Sequence, residues 1–211
     1  MSEIAFAVTG AAPERFAAVP TIAFDLQLES MGQVVHSIAL HCQIRFEPQR
    51  RRYSDAEQAR LRDLFGETPR WGDTLKPFLW THVSATLAGF TECTPAVLSV
   101  PCTYDLEVAG AKYLHSLDDG EIPLLFLFSG TVFSKGAAGL QLTQLSWHRD
   151  ARYRLPVAVW RQLMDLYFPN SGWLRLRRDT LDALLRFKAR RVLTTWDETV
   201  GALLEQAGEA R

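Results

Sequence analysis

The C-terminal part of the chain contains residues 154–190, RLPVAVWRQLMDLYFPNSGWLRLRRDTLDALLRFKAR, which predict two amphipathic helices joined by a turn. Pro156 suits the first turn of the first helix, where its missing N–H costs nothing. Trp160 belongs to the apolar stripe of that helix and is expected to pack where the helix meets a sheet. Asp179 can cap the second helix by accepting a hydrogen bond from the first turn. The pattern predicts a pair of helices that covers a sheet.

Two capping boxes predict further helices. Residues 54–57, Ser-Asp-Ala-Glu, predict a short helix over residues 54–65, which Gly66 can end in the left-handed conformation. Residues 195–198, Thr-Trp-Asp-Glu, predict a third C-terminal helix. The helical segment is therefore expected over residues 154–205.

Alternating apolar and polar residues predict strands before this segment. Residues 22–28 and 38–46 are expected to pair as an antiparallel hairpin with one face in water. Further strands are predicted at residues 78–87, 98–108, 123–133 and 140–147. Residues 109–117 could instead be helical. Residues 123–133 are apolar on both faces, which is typical of a central strand.

These elements predict one α+β domain over residues 1–211. Residues 1–20, which are rich in small residues, are expected to form an irregular N-terminal arm. Residues 21–148 are expected to form a mainly antiparallel sheet, with the helix at 54–65 inserted into it. The C-terminal helices then cover the sheet.

The composition limits the classes of function. Hydrophobic residues make up 47% of the chain, enough for a real core, and a net charge of −1 argues against a dedicated nucleic-acid binder. Cys42, Cys93 and Cys102 form no CxxC motif, so neither a disulfide framework nor a zinc site is expected. The N-terminus lacks a basic region, and the apolar run at residues 122–133 is too short to span a bilayer. We therefore expect a cytoplasmic protein that does not enter the membrane.

The sequence contains no P-loop, G-x-G-x-x-G, G-x-S-x-G or H-E-x-x-H motif. His41 and His82 on neighbouring strands could share a metal ion, but separate strand histidines are the simpler interpretation. Cys102 is interpreted as a core thiol. The acidic residues at 118–121 are typical of a turn and could bind a cation only weakly. No cofactor is predicted.

Residues 175–191 carry seven basic and two acidic side chains. Within this group, Arg177, Arg178, Arg186 and Arg190 are the candidate partner-binding residues, because exposed guanidinium groups can dock an acidic protein. RNA is the less expected acidic partner, given the near-zero net charge. The simpler interpretation is a solvated helix face.

Five segments across nearly the whole chain resemble a bacterial family of unknown function. They are QIRFEPQRRRYS (43–54), WTHVS (80–84), VPCTYDLEVAGAKY (100–113), LFSGTVF (127–133) and YRLPVAVWRQLMDLYFPNSGWLRLRRDT (153–180). The resemblance implies no catalytic residues. It implies an accessory role connected with gene clusters of nickel–iron hydrogenases.

The C-terminal part is also similar to the closing segment of the export chaperone SecB. The similarity rests on Phe168-Pro169, an apolar crossing with Leu174 and Leu176, and Leu-Asp-Ala-Leu at residues 181–184. Here the link is longer and the strands are more numerous, and the acidic surface by which SecB meets its motor is not evident. The resemblance implies a SecB-like antiparallel sheet covered by C-terminal helices, whereas a shared function would be analogy.

Two hypotheses of function follow. The first is a non-enzymatic, chaperone-like accessory protein that offers apolar grooves to a client and self-associates as a homo-oligomer through unpaired strand edges. The family resemblance implies a hydrogenase under assembly as the client. The alternative is a small-molecule-binding or enzymatic domain with a site near Tyr104, Asp105, His82 and Arg154. A closed polar pocket that holds these four groups would favour the alternative.

Overall fold

The computed structural model describes residues 4–30, 32, 34–102, 108–136, 139–146, 148–169 and 176–209. The chain divides into two compact units. Unit 1 comprises Met1–Pro169 and unit 2 comprises Asn170–Arg211.

Unit 1 contains two antiparallel sheets. The three-stranded sheet has the order β1 (Ile4–Pro13), β2 (Thr21–Ser30), β5 (Cys93–Pro101). The five-stranded sheet has the order β4 (Phe78–Phe90), β3 (Val35–Phe46), β6 (Glu121–Gly136), β7 (Gly139–Gln144), and β8 (Arg149–Pro156) also pairs with β6.

The described residues form four helices in unit 1 and two in unit 2. These are α1 (Asp55–Phe65), α2 (Trp71–Thr74), α3 (Val108–His115), α4 (Val157–Tyr167), α5 (Arg178–Arg190) and α6 (Trp196–Ala207). The α+β class is confirmed. Among the described residues, none of these helices is both long and apolar enough to cross a membrane.

The capping boxes of α1 and α6 are confirmed, and Gly66 ends α1 with a φ of 74°. The predicted cap of α5 is wrong. Arg177 occupies the N-cap position and Asp179 lies in the first turn, where its charge still favours the helix dipole. Pro156 is the N-cap of α4 rather than its first residue.

The core lies where the two sheets face each other. Phe24 of the three-stranded sheet makes edge contacts with Phe126 and Tyr153, at ring-centroid distances of 5.1 and 6.0 Å. Phe6 stacks on Phe128 at 4.4 Å. A second sheet therefore covers the buried face that the sequence analysis assigned to helices, while α4 packs against β1, β2 and β8.

The predicted hairpin between residues 22–28 and 38–46 is wrong. Both segments are strands, but β2 pairs with β1 and β5, whereas β3 pairs with β4 and β6. Alternation shows which residues of a strand face the core and says nothing about the pairing partner.

Residues 4–13 form β1 in place of the irregular arm expected for residues 1–20. Ile4 and Phe6 are buried on it, but alanines separate the apolar residues and weaken the alternating pattern. Strand β8 also replaces the expected start of the helical segment. On this strand the exposed Arg152 and Arg154 alternate with the more buried residues 151, 153 and 155.

Gly130 lies where β6 changes partners. Phe128 is the last β6 residue paired with β8, and Thr131 is the first paired with β7. Between them Gly130 has a φ of 147°, lies opposite Leu40 of β3, and accepts a hydrogen bond from the N–H of Leu145 at 2.9 Å. Only glycine adopts such a φ without strain.

Cys42 gives the core a pH dependence. Its thiol is 1% exposed, and desolvation raises its pKa from 9.0 to about 12. Because folding favours the neutral thiol, this contribution to stability is complete below about pH 9 and is lost as the pH rises toward 12. We expect the free energy of unfolding to fall less steeply between pH 9 and 11 in Cys42→Ala than in the wild type, as measured by urea denaturation. Cys93→Ala, which changes an exposed thiol, serves as the control and should keep the wild-type slope.

Candidate functional site

An open cleft of about 680 Å³ lies on unit 1. We call it the basic cleft, and its described lining residues are Gln49, Arg50, Arg51, Arg52, Gly120, Glu121 and Arg154. The described lining thus contains four arginines and one carboxylate.

Three local features bring these residues together. After β3, Pro48–Arg50 forms a 3-10 turn that begins at proline, and Ser54 then caps α1, which fixes both ends of the arginine run. Gly120, with a φ of 80°, turns the chain into β6. Antiparallel pairing of β6 with β8 places Arg154 opposite Pro123, so that its Nη1 lies 3.4 Å from Glu121 Oε2.

Arg51 is the buried member of the lining. Its side chain is 8% exposed, and its Nη2 donates to Glu57 Oε1 at 2.8 Å and to the carbonyl oxygen of Asp119 at 3.1 Å. Its guanidinium carbon lies 5.0 Å from the centre of the Tyr53 ring. These contacts join the arginine run to the turn before β6. Nη1 of Arg51 is buried and has no hydrogen-bond partner among the described residues.

Glu57 holds Arg51 in place. Its carboxylate is buried, with Oε1 also accepting from the backbone N–H of Asp118 at 2.9 Å and Oε2 accepting from that of Ser54 at 3.0 Å. Arg51 and these two backbone N–H groups satisfy the carboxylate oxygens, so Glu57 can stay buried without hydrogen bonds to water.

The other arginines are exposed. Arg50 Nε lies 3.6 Å from Glu47 Oε2, which also accepts from Arg152 Nε at 3.3 Å. Arg154 pairs with the half-exposed Glu121. The side chain of Arg52 forms no ion pair within the described part of the chain. Exposed pairs contribute only about 0 to 1 kcal/mol, so an anion in the cleft can compete with Glu121 for Arg154, whereas the Glu47 side chain is 7% exposed.

A pair of tyrosines supports the arginine run from the core side. Tyr53 donates its hydroxyl hydrogen to the carbonyl oxygen of Pro48 at 2.7 Å, which leaves Tyr113 to donate to the Tyr53 hydroxyl oxygen at 2.8 Å. Burial raises the pKa of Tyr113 to about 12 and also raises that of Tyr53. Both phenols are therefore neutral at physiological pH and keep this hydrogen-bond chain.

Of the four residues of the predicted alternative site, His82 and Arg154 lie among the described residues. Arg154 lines the basic cleft, whereas His82 lies opposite Gln43 in the β3–β4 pairing and is not among the lining residues. Tyr104 and Asp105 lie outside the described residues. The sequence analysis missed the role of Arg50, Arg51 and Arg52, although three consecutive arginines were the available signal.

His41 and His82 lie on the neighbouring strands β3 and β4. His41 Nδ1 lies 2.8 Å from Ser84 Oγ. Within the described ranges, no three His, Cys, Asp or Glu side chains are grouped closely enough to hold a metal ion. In the acidic turn, Asp118 pairs with Arg60 and Arg161.

The candidate partner-binding residues lie on unit 2. Arg177 precedes α5, and Arg178, Arg186 and Arg190 lie on it. All four are exposed, and none forms an ion pair with a described residue. Arg186 and Arg190 are one helical turn apart and share a face.

A family model described as a family of unknown function (DUF6084) matches residues 1–211. The chain belongs to this family. Membership in DUF6084 confirms the predicted uncharacterised family, whereas the hydrogenase connection and the SecB-like resemblance stay predictions.

Other comparisons add little to the DUF6084 assignment. No curated protein matches the chain. The CARDB domain of a Pyrococcus furiosus protein, in complex with di-metal ions, is similar over 74% of this chain and 92% of that one, with 8% identity and a TM-score of 0.29. The fimbrial major subunit AggA of Escherichia coli is similar over 74% and 94%, with 12% identity and a TM-score of 0.26.

A β-glucosidase from Kluyveromyces marxianus is similar over 72% of this chain, with 8% identity and a TM-score of 0.25. The matched region spans only 15% of the β-glucosidase. All three TM-scores are below 0.5.

Proposed function

We propose that this chain is a cytoplasmic, non-enzymatic accessory protein whose unit 2 binds an unfolded or immature acidic client protein. The observation that carries the proposal is the combination of exposed apolar side chains on α5 and α6 with exposed arginines at the start of α5 and on it. A hydrogenase subunit under assembly is the client that the family resemblance implies. Self-association as a homo-oligomer stays a separate prediction.

The apolar residues of unit 2 form stripes at helical spacing. Leu181 and Leu185 are one turn apart on α5, and Trp196, Val200 and Leu204 follow at four-residue spacing on α6. These five side chains are 38% to 46% exposed. Amphipathic helices with apolar anchors at such intervals are a common means of binding another chain.

The arginines add a charge preference to this surface. Arg177, Arg178, Arg186 and Arg190 have no carboxylate partner among the described residues, so an acidic client could pair with them without breaking internal ion pairs. Charges of this kind act chiefly on the rate of encounter, whereas buried apolar anchors act on the rate of dissociation.

A model client tests the proposal. We would use reduced, carboxymethylated α-lactalbumin, which is acidic and permanently unfolded, and measure association at about 50 and 200 mM salt. We expect wild type to bind, and to associate several-fold more slowly at the higher salt. Arg186→Gln/Arg190→Gln should associate more slowly and show a weaker salt dependence. Leu181→Ser/Leu185→Ser should instead dissociate faster.

The matched control removes two exposed arginines from unit 1. Arg15→Gln/Arg70→Gln has the same net charge as the α5 double variant and should associate at the wild-type rate. Absence of binding by the wild type, or equal rates and salt slopes for both charge variants, would contradict the proposal. If the wild type binds as expected, affinity capture from the native host would identify the client.

A further inference from the structure

We propose that the basic cleft of unit 1 binds a small, multiply charged phosphate ligand, either a phosphate monoester or a diphosphate. Arg50, Arg51, Arg52 and Arg154 are the residues that recognise it. This binding is independent of the client binding proposed for unit 2, since the residues belong to different units.

The size and charge of the cleft fit such a ligand. Its volume of about 680 Å³ falls within the range of roughly 300 to 1,000 Å³ that is usual for small-molecule sites. Four guanidinium groups against the single carboxylate of Glu121 leave an excess of three positive charges among the described lining residues, and Glu57 and Glu47 outside the lining pair with Arg51 and Arg50. A phosphate monoester or diphosphate carries two or three negative charges, and the guanidinium fork matches phosphate oxygens in geometry.

Arg51 gives the site a preorganised donor. Glu57 and the carbonyl oxygen of Asp119 hold its guanidinium in the wall of the cleft, so a ligand need not order a free side chain, although Glu57 balances the charge of Arg51. Its Nη1 is buried and lacks an acceptor among the described residues, and an unsatisfied buried donor is costly. A phosphate oxygen is an acceptor of the kind that this nitrogen lacks.

The remaining arginines approach from separate elements. Arg50 and Arg52 come from the turn after β3, whereas Arg154 comes from β8. Their carboxylate contacts are long, at 3.6 Å for Arg50 with Glu47 and 3.4 Å for Arg154 with Glu121. A dianionic phosphate can therefore replace the half-exposed, singly charged Glu121 as the partner of Arg154, whereas the Glu47 carboxylate near Arg50 is buried.

The charge excess favours a small ligand over a nucleic acid. The whole chain has a net charge of −1, so the positive potential of the cleft is local. A nucleic acid would need a longer basic surface, because its affinity depends on several phosphate contacts along the backbone.

Calorimetric titration of the full chain with inorganic pyrophosphate and with inorganic phosphate, at about 100 mM salt, tests the proposal. We expect pyrophosphate to bind more tightly than phosphate. Arg52→Gln and Arg154→Gln should each weaken pyrophosphate binding by about tenfold. Arg15→Gln removes the same charge from an exposed position outside the cleft lining and should change the affinity less than about twofold.

Two further measurements keep the outcome decisive. Arg52→Lys keeps the charge and loses the fork, so its affinity should lie between those of wild type and Arg52→Gln. Thermal unfolding should show that each variant is folded. If wild type gives no heat and no change in the phosphorus NMR signal of pyrophosphate, the proposal is overturned. Equal weakening by Arg15→Gln would also overturn it.

Discussion

Replacing Gly130 with alanine is expected to lower the free energy of unfolding by about 3 kcal/mol or more. The added Cβ would overlap the backbone oxygen of Ala39 and lie 3.2 Å from Leu40 Cα. A φ of 147° would also strain any residue with a side chain. Because the clash is with backbone of the adjacent strand, β3 and β6 would have to separate locally. Urea denaturation of wild type and variant measures the loss.

Gly72→Ala is the matched control within unit 1. A Cβ at this helical position meets nothing within 4 Å, so we expect a change of less than about 1 kcal/mol, in the stabilising direction. A loss below about 1 kcal/mol for Gly130→Ala would show that the backbone of β6 at Gly130 differs from the one described above.

Replacing Trp160 with alanine is expected to cost about 3 to 5 kcal/mol. Trp160 is 5% exposed on α4, and its ring makes an edge contact with His115 of α3 at 5.4 Å. Removing the indole would leave a large cavity between these helices and the core, which close packing cannot refill. Chemical denaturation followed by near-UV circular dichroism gives the change in stability of unit 1.

Leu166→Ala on the same helix serves as the control, because Leu166 is 44% exposed. It should cost less than about 1 kcal/mol. If the two variants lost similar amounts of stability, the buried face of α4 would differ from the one described.

Local sequence signals predicted local structure well. The capping boxes of α1 and α6 were predictable because a Ser or Thr and the Glu three residues later form both hydrogen bonds within one turn. Alternation likewise found β2, β3 and β4. Pairing was not predictable, since the choice of β5 as the partner of β2 depends on contacts far apart in sequence.

The basic cleft shows the same limit. Residues 50–52 precede Arg154 by about one hundred positions, and the β6–β8 pairing brings them together. Arg154 itself was assigned to the start of a helical segment, because the charged residues around it concealed strand β8. The arginine run was visible in the sequence, but the second wall of the cleft was not.

The order of strands in the smaller sheet has a consequence for synthesis on the ribosome. β1 and β2 can form a hairpin early, but the free edge of β2 must wait for β5, which follows all of β3 and β4. At about 5 to 20 residues per second, the ribosome needs roughly 4 to 14 s to add residues 31–101. During this interval the apolar face of β2, with Ile22, Phe24, Leu26 and Leu28, lacks both its third strand and the facing sheet. The nascent chain is therefore most vulnerable to aggregation at its N-terminal hairpin, before any C-terminal helix exists.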